Sequence, residues 1–190
     1  GDDDSTEQIY IDIPCTLTNH YIRYIMGHCE KESVNADVWR LMYLAYLDSG
    51  GSDTIISTRG EFECALHLAD RADFSGGVVL GDEIDQAVTF FGDGHIAEGS
   101  DITGYYQKFS IVRTSILYDP ADNTTPIAEH GVEYIFDKSG LTINQSVKWL
   151  ADETVTNCYL AMLPIKKNYS LYRYSDTSIK VVANPANNFS

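Results

Sequence analysis

The sequence lacks a hydrophobic run long enough to cross a membrane, and it lacks the motifs of familiar nucleophilic and nucleotide-binding enzymes. A GxSxG elbow, a Walker phosphate loop, an HExxH zinc motif and a GxGxxG dinucleotide loop are all missing from its 190 residues. These absences remove most support for α/β-hydrolase, nucleotidase, zinc-protease and dinucleotide-dependent functions. We therefore expect no membrane insertion and no required cofactor.

Positively charged residues are scarce. Lys and Arg number 13 against 28 Asp and Glu, which gives a formal net charge of −15. Nucleic-acid binding depends on cations that neutralise phosphates, so nucleic acid is not an expected partner. Anionic membrane surfaces are disfavoured for the same reason. An acidic protein suits neutral or cationic ligands, or calcium.

The four cysteines are too scattered to form a metal site. Cys15, Cys29, Cys64 and Cys158 show no CxxC or Cys/His metal spacing, so we do not expect a zinc site. Cys64 falls on the apolar face of a predicted strand, and Cys158 adjoins an apolar run. We expect buried free thiols; a Cys15–Cys29 disulfide is the alternative.

Short alternating segments separated by turn residues fill the chain. They predict ten or more strands, at most one or two short helices and no βαβ alternation, which indicates an all-β protein with an antiparallel sandwich or jelly roll. We expect one domain over residues 9–184, a flexible segment at 1–8 and a loose tail at 185–190. Residues 19–32 fit a short helix or a strand. Trp149 is expected in the core because it alternates in register with apolar residues.

The stretch 59–95 holds the densest set of titratable side chains. Residues 61–68 alternate, so Glu61, Glu63 and His67 share the polar face of a half-buried strand. The two glutamates are roughly 6.5–7 Å apart along a strand. Glycoside hydrolysis uses two carboxylates at one cleft, so these three residues are the catalytic candidates.

A polysaccharide lyase offers a second enzymatic interpretation. Elimination needs a base, an acid and a group that neutralises the uronate. Besides His67, the candidate ligand-binding residues are Arg59, Arg113, Gln145 and Tyr159. The negative net charge of this chain disfavours the binding of a polyanionic polysaccharide.

Acidic loops offer a possible structural calcium site. Asp82, Glu83 and Asp85 lie close together in the sequence, and backbone carbonyls could complete a calcium shell. The chain has no EF-hand pattern. Solvated acids are the alternative.

The strand GEFECALHL, the glycine-rich acidic loop after it and the hairpin EYIFDKSGLTINQSVKWL together resemble the concanavalin A-like jelly-roll sandwiches. Proteins of this kind include secreted polysaccharide-active domains and phage tail-fibre or tailspike domains. The resemblance therefore implies that this chain is a domain of one of these types. Four Asn-x-Ser/Thr sequons, at Asn123, Asn144, Asn168 and Asn188, also suit an extracellular chain, although polar strand faces explain them equally.

The leading hypothesis is a glycan-recognising β-sandwich domain of an extracellular, cell-surface or virion protein, with carbohydrate as its partner. Tyr-rich polar faces and the missing nucleophile motifs favour it. A lyase or glycoside hydrolase on the same fold is the first alternative. A structural, assembly or adhesin domain, including a homo-oligomeric one, is the second.

Overall fold

The computed structural model of the protein describes residues 5–15, 17–57, 62, 64–160, 162, 171–173 and 179–181. The strands in this part of the chain are β1 (Ser5–Pro14), β2 (Tyr21–Lys31), β3 (Ala36–Leu47), β4 (Asp53–Ser57), β5 (Ala65–Leu68), β6 (Phe74–Ser75), β7 (Glu83–Gly92), β8 (His95–Ile96), β9 (Lys108–Tyr118), β10 (Pro126–Asp137), β11 (Gly140–Trp149), β12 (Val155–Tyr159), β13 (Leu171–Arg173) and β14 (Ile179–Val181). The single-turn helix α1 (Gly77–Leu80) and two 3-10 turns are the helical parts of these residues. The predicted all-β class is confirmed.

Most strands belong to one large sheet with the order β1-β2-β3-β7-β9-β10-β11. β4 adds to β3, and β8 adds to β7. Neighbouring strands are antiparallel except at β3 and β7, which run parallel and pair only at Ala36–Glu83 and Asp37–Ile84. The expected antiparallel arrangement therefore has one exception, which is the narrow junction between the two halves of the sheet.

The two halves of this sheet face each other and enclose the main core. Met26 of β2 and Leu41 of β3 lie in one apolar cluster with Ile111 of β9 and Tyr134 of β10. Strand β1 also approaches β10. Burying apolar faces between packed β layers is the stabilising principle of a sandwich. The protein is an all-β sandwich.

A smaller sheet, with the order β12-β5-β6, covers another part of the same inner face. Leu66 and Leu68 of β5 pack with Leu117 of β9, Ile127 and Ala128 of β10 in a second apolar cluster. The inner face of β9 and β10 is therefore covered by two different layers of strands. Leu66 and Leu68 are both buried, which confirms the prediction that they lie on the apolar face of this strand.

Residues 19–32, which could be helix or strand by sequence, mainly form β2, followed by the 3-10 turn Glu32–Val34. Tyr24 and Met26 point to the core two residues apart, and this period of two favours a strand. β1 begins at Ser5, inside the segment 1–8 that was expected to be flexible. Residues 5–8 therefore belong to the large sheet.

The prediction that Trp149 lies in the core is wrong. Leu141 and Ile143 of β11 do pack against the core, but Trp149 at the end of that strand is 38% exposed. β11 is the edge strand of the large sheet, and among the described residues no other strand pairs with its outer edge.

All four cysteines are free, as expected, and no disulfide joins Cys15 to Cys29. Cys29 and Cys64 are buried, but Cys158 is exposed and Cys15 is partly exposed, so burial holds for two of them. Among the described residues, no helix has the length and apolar character required to cross a membrane.

Candidate functional site

The structure divides the predicted site residues between a surface and the interior. Arg59, Glu61 and Glu63 lie outside the described residues, so the paired carboxylates and this arginine stay predictions. His67 and Tyr159 both lie on the small sheet. The other predicted residues lie on strands of the large sheet or directly before one: Glu83 and Asp85 on β7, Asp82 just before it, Arg113 on β9 and Gln145 on β11.

Three aromatic rings line one face of the small sheet, one from each strand. His67 on the central strand β5 is paired with Phe74 of β6, and their ring centroids are 4.7 Å apart. The ring of Phe74 lies 6.1 Å from that of Tyr159 on β12, with an interplanar angle of 35°. Tyr159 is 45% exposed. We name His67, Phe74 and Tyr159 the aromatic face.

His67 is held by a reciprocal contact with Thr156. The hydroxyl of Thr156 donates to the backbone carbonyl of His67 at 3.1 Å, and Nδ1 of His67 lies 2.6 Å from the same hydroxyl oxygen. Because the Thr156 hydroxyl proton is donated to the carbonyl, its oxygen can only accept from the ring, so Nδ1 carries the proton in this contact. In the neutral ring, Nε2 is then an acceptor, and it makes no hydrogen bond within the described part of the chain.

Arg113, a predicted ligand-binding residue, is buried in the structure, and its ligand-binding role stays a prediction. Its side chain is 4% exposed. Nη1 donates to Glu83 Oε1 at 2.7 Å and to Asp85 Oδ1 at 2.9 Å. Glu83 also accepts from the Ser115 hydroxyl and from the backbone N–H of Gly77, at 2.6 Å each. Arg113 therefore holds β9 to the start of β7.

His130 and Gln145 complete this cluster. The sequence assigns His130 no role, and its Nδ1 lies 2.7 Å from Glu83 Oε1 while its Nε2 lies 3.0 Å from Gln145 Oε1. Gln145 donates its amide N–H to the carbonyl of Leu160. Both nitrogens of His130 face acceptor oxygens, so its ring links Glu83 to Gln145.

We name Glu83, Asp85, Arg113, His130 and Gln145 the polar layer. A sequence signal for His130 exists: it occupies the same alternating face of β10 as Ala128 and Val132, which are buried. A histidine in such a register indicates a buried polar contact.

The carboxylates of the polar layer have pKa values moved in opposite directions. Burial alone would raise the pKa of Glu83, but the charge of Arg113 and the hydrogen bond from His130 outweigh it and lower that pKa. For Asp85, burial dominates and raises the pKa despite Arg113. Glu83 is therefore the main counterion of Arg113.

The three residues predicted to bind calcium have different surroundings. Glu83 and Asp85 face Arg113, and a calcium ion there would have to replace it. Asp82 is 5% exposed, and burial raises its pKa to about 6. With the Asn123 amide oriented to donate, its nitrogen lies 3.2 Å from Asp82 Oδ1. The calcium site stays a prediction.

The polar layer is buried and its groups are bonded to one another, whereas Tyr159 of the aromatic face is exposed and His67 and Phe74 are half-buried. The aromatic face is therefore the better candidate for ligand contact. Comparison of the chain with protein-family models, with curated proteins and with solved structures finds no match.

Proposed function

We propose that the protein is a glycan-recognising β-sandwich domain and that the aromatic face is its binding surface. The observation that carries this proposal is the set of three rings from three neighbouring strands, with Phe74 and Tyr159 inclined at 35°. Sugar rings present apolar C–H faces that pack on aromatic side chains, and their hydroxyls need a few fixed polar groups.

Polar groups suited to hydroxyls accompany these rings. His67 offers Nε2 as an acceptor while Thr156 fixes its other nitrogen. Asn157, the exposed cross-strand partner of His67, offers an amide on the same sheet. Neutral glycans suit a chain with a net charge of −15 better than polyanionic ones do, because like charges repel. The sequons at Asn123 and Asn144 agree with an extracellular or virion location.

A glycan array probed with the intact chain tests the proposal. Tyr159→Ala and Phe74→Ala should each weaken binding to the best ligand about tenfold, equivalent to about 1.4 kcal/mol. Tyr105→Ala is the matched control, because Tyr105 is a fully exposed tyrosine outside the small sheet. Equal losses for Tyr105→Ala and Tyr159→Ala, or no binding to any glycan, would contradict the proposal.

An enzyme on the same fold is the second candidate function. The geometry of His67 supports it. A histidine whose Nδ1 is held by a neighbouring hydroxyl, as His67 is by Thr156, has the arrangement of a general base acting through Nε2. Of the residues predicted for a lyase, Arg113 and Gln145 belong to the polar layer and Arg59 lies outside the described residues, so the lyase set stays a prediction. Measuring product release on the array ligands distinguishes the two: cleavage that His67→Gln abolishes would favour the enzyme.

A further inference from the structure

Three side chains with metal-ligand chemistry meet where β2 ends and β3 begins, on elements that the aromatic face does not use. His28 and Glu30 are two residues apart on β2, and Asp37 of β3 is the cross-strand partner of Glu30. His28 Nε2 lies 2.6 Å from Asp37 Oδ1, and His28 Nδ1 lies 3.9 Å from Glu30 Oε1. One ligand atom from each of the three lies within 4.8 Å of the other two.

The imidazole of this group is held in place by the core. The His28 ring stacks on Trp39 with a centroid distance of 5.7 Å and an interplanar angle of 8°. Trp39 is 7% exposed and its backbone N–H donates to Asp85 Oδ2 at 2.7 Å. Because the ring and both carboxylates stand on paired strands, their ligand atoms are positioned before any ion binds.

The charges around His28 favour a cation. Glu30 and Asp37 are directly opposed on antiparallel strands, an arrangement in which like charges destabilise the sheet. The whole chain adds a negative field. The side chains of Glu30 and Asp37 are 55% and 46% exposed, so an ion can enter and water can complete its coordination.

We propose that His28, Glu30 and Asp37 bind one divalent transition-metal ion such as Zn²⁺. One imidazole nitrogen with two carboxylate oxygens is a ligand set that zinc accepts, and a fourth position remains for water. Mg²⁺ and Ca²⁺ prefer shells made only of oxygen, so they should bind this site more weakly. The ion links the end of β2 to the start of β3 and removes the repulsion between Glu30 and Asp37.

Calorimetric titration of the metal-free chain with a zinc salt tests this site. The wild type should bind one ion per chain, and affinity should fall in acid because protons compete for the ligands. Losing a group that only orients a metal ligand costs about 10- to 100-fold in affinity. Asp37→Asn and His28→Ala, which remove ligands themselves, should cost at least that much.

The controls separate this site from unspecific zinc binding. His95→Ala removes an exposed histidine on β8 and should leave the affinity unchanged. Glu30→Gln and Asp37→Asn leave the stack of His28 on Trp39 intact, so they decide the question if His28→Ala fails to fold. Zinc should also raise the melting temperature of the wild type and not that of Asp37→Asn. No zinc binding by the wild type, or undiminished binding by Asp37→Asn, would overturn the proposal.

Discussion

At the scale of single residues, Arg113 has the largest expected effect on stability. Its guanidinium is the principal cation facing Glu83, and both side chains are almost fully buried. Arg113→Met should lower the free energy of unfolding by about 3–5 kcal/mol, because it leaves buried carboxylates without their counterion. Chemical denaturation followed by circular dichroism measures this loss.

The matched control for Arg113 is Arg71, which pairs with Asp119 nearer the surface. Arg71→Met should cost much less, since the Arg71 side chain is 26% exposed and Asp119 still accepts the backbone N–H of Ala121. Similar losses for the two variants would show that burial does not govern the Arg113 pair.

Asp82 gives a pH-dependent prediction. Its folded-state pKa of about 6 lies above the ordinary aspartate value of 3.8, mainly because of burial. The folded chain therefore holds more protons than the unfolded chain between these two pH values, and the contribution of Asp82 to stability falls as pH rises through them. Asp82→Asn should raise the melting temperature at pH 7.5 and have little effect at pH 3.

The backbone supports the choice of asparagine at this position. Asp82 has a φ of 60°, and asparagine adopts this left-handed region readily. A thermal shift that is the same at pH 7.5 and pH 3 would argue against titration of Asp82 as the cause.

At the scale of elements, Gly81 determines how α1 joins the large sheet. A Cβ at Gly81 would lie 2.0 Å from the carbonyl oxygen of Val34, and its φ is +92°. The same carbonyl accepts the backbone N–H of Asp82 at 2.8 Å, so it cannot move away without loss of that bond. Gly81→Ala should therefore destabilise the fold strongly, as measured by the denaturant midpoint.

Gly94 is the matched control for Gly81. It also has a positive φ, +84°, but a Cβ there would meet nothing within 4 Å. Gly94→Ala should cost about 1–2 kcal/mol, the usual penalty for a left-handed residue with a side chain. If Gly81→Ala cost no more than Gly94→Ala, the contact with Val34 would not matter.

The strands were largely predictable because their signals are local. The turn at Asp93 and Gly94 has the positive φ values that the sequence Asp-Gly indicates. The continuous apolar run of β3 has a physical reason: Leu41 faces the main core, whereas Met42 packs on the other side near α1. Burial on both faces removes the alternation that identifies other strands.

Long-range partners could not be predicted in the same way. The alternation of β9 places Arg113 beside Ile111 on an apolar face, which indicates a buried charge pair. Its partner Glu83 is 30 residues away in sequence, and no local pattern selects it over the other acids. The aromatic face was missed for the same reason, since it forms only when β5, β6 and β12 pair.

At the scale of the whole molecule, the polar layer divides the interior of the sandwich into two apolar regions. Along β9, Ile111 belongs to the main core and Leu117 to the cluster under the small sheet, with Arg113 and Ser115 between them. Strand β10 repeats this order, with His130 between Val132 and Ala128. β9 and β10 therefore contribute side chains to both apolar regions.

This arrangement predicts the order of amide hydrogen exchange. β9 and β10 have paired strands on both sides and contribute to both apolar clusters, so their amides should exchange most slowly. β4 and β8, which attach to a single strand each, should exchange much faster. In Arg113→Met, loss of the polar layer should accelerate exchange in β9 and β10 together. Slowest exchange in β1 and β2 would instead place the most stable unit in the opposite half of the sandwich.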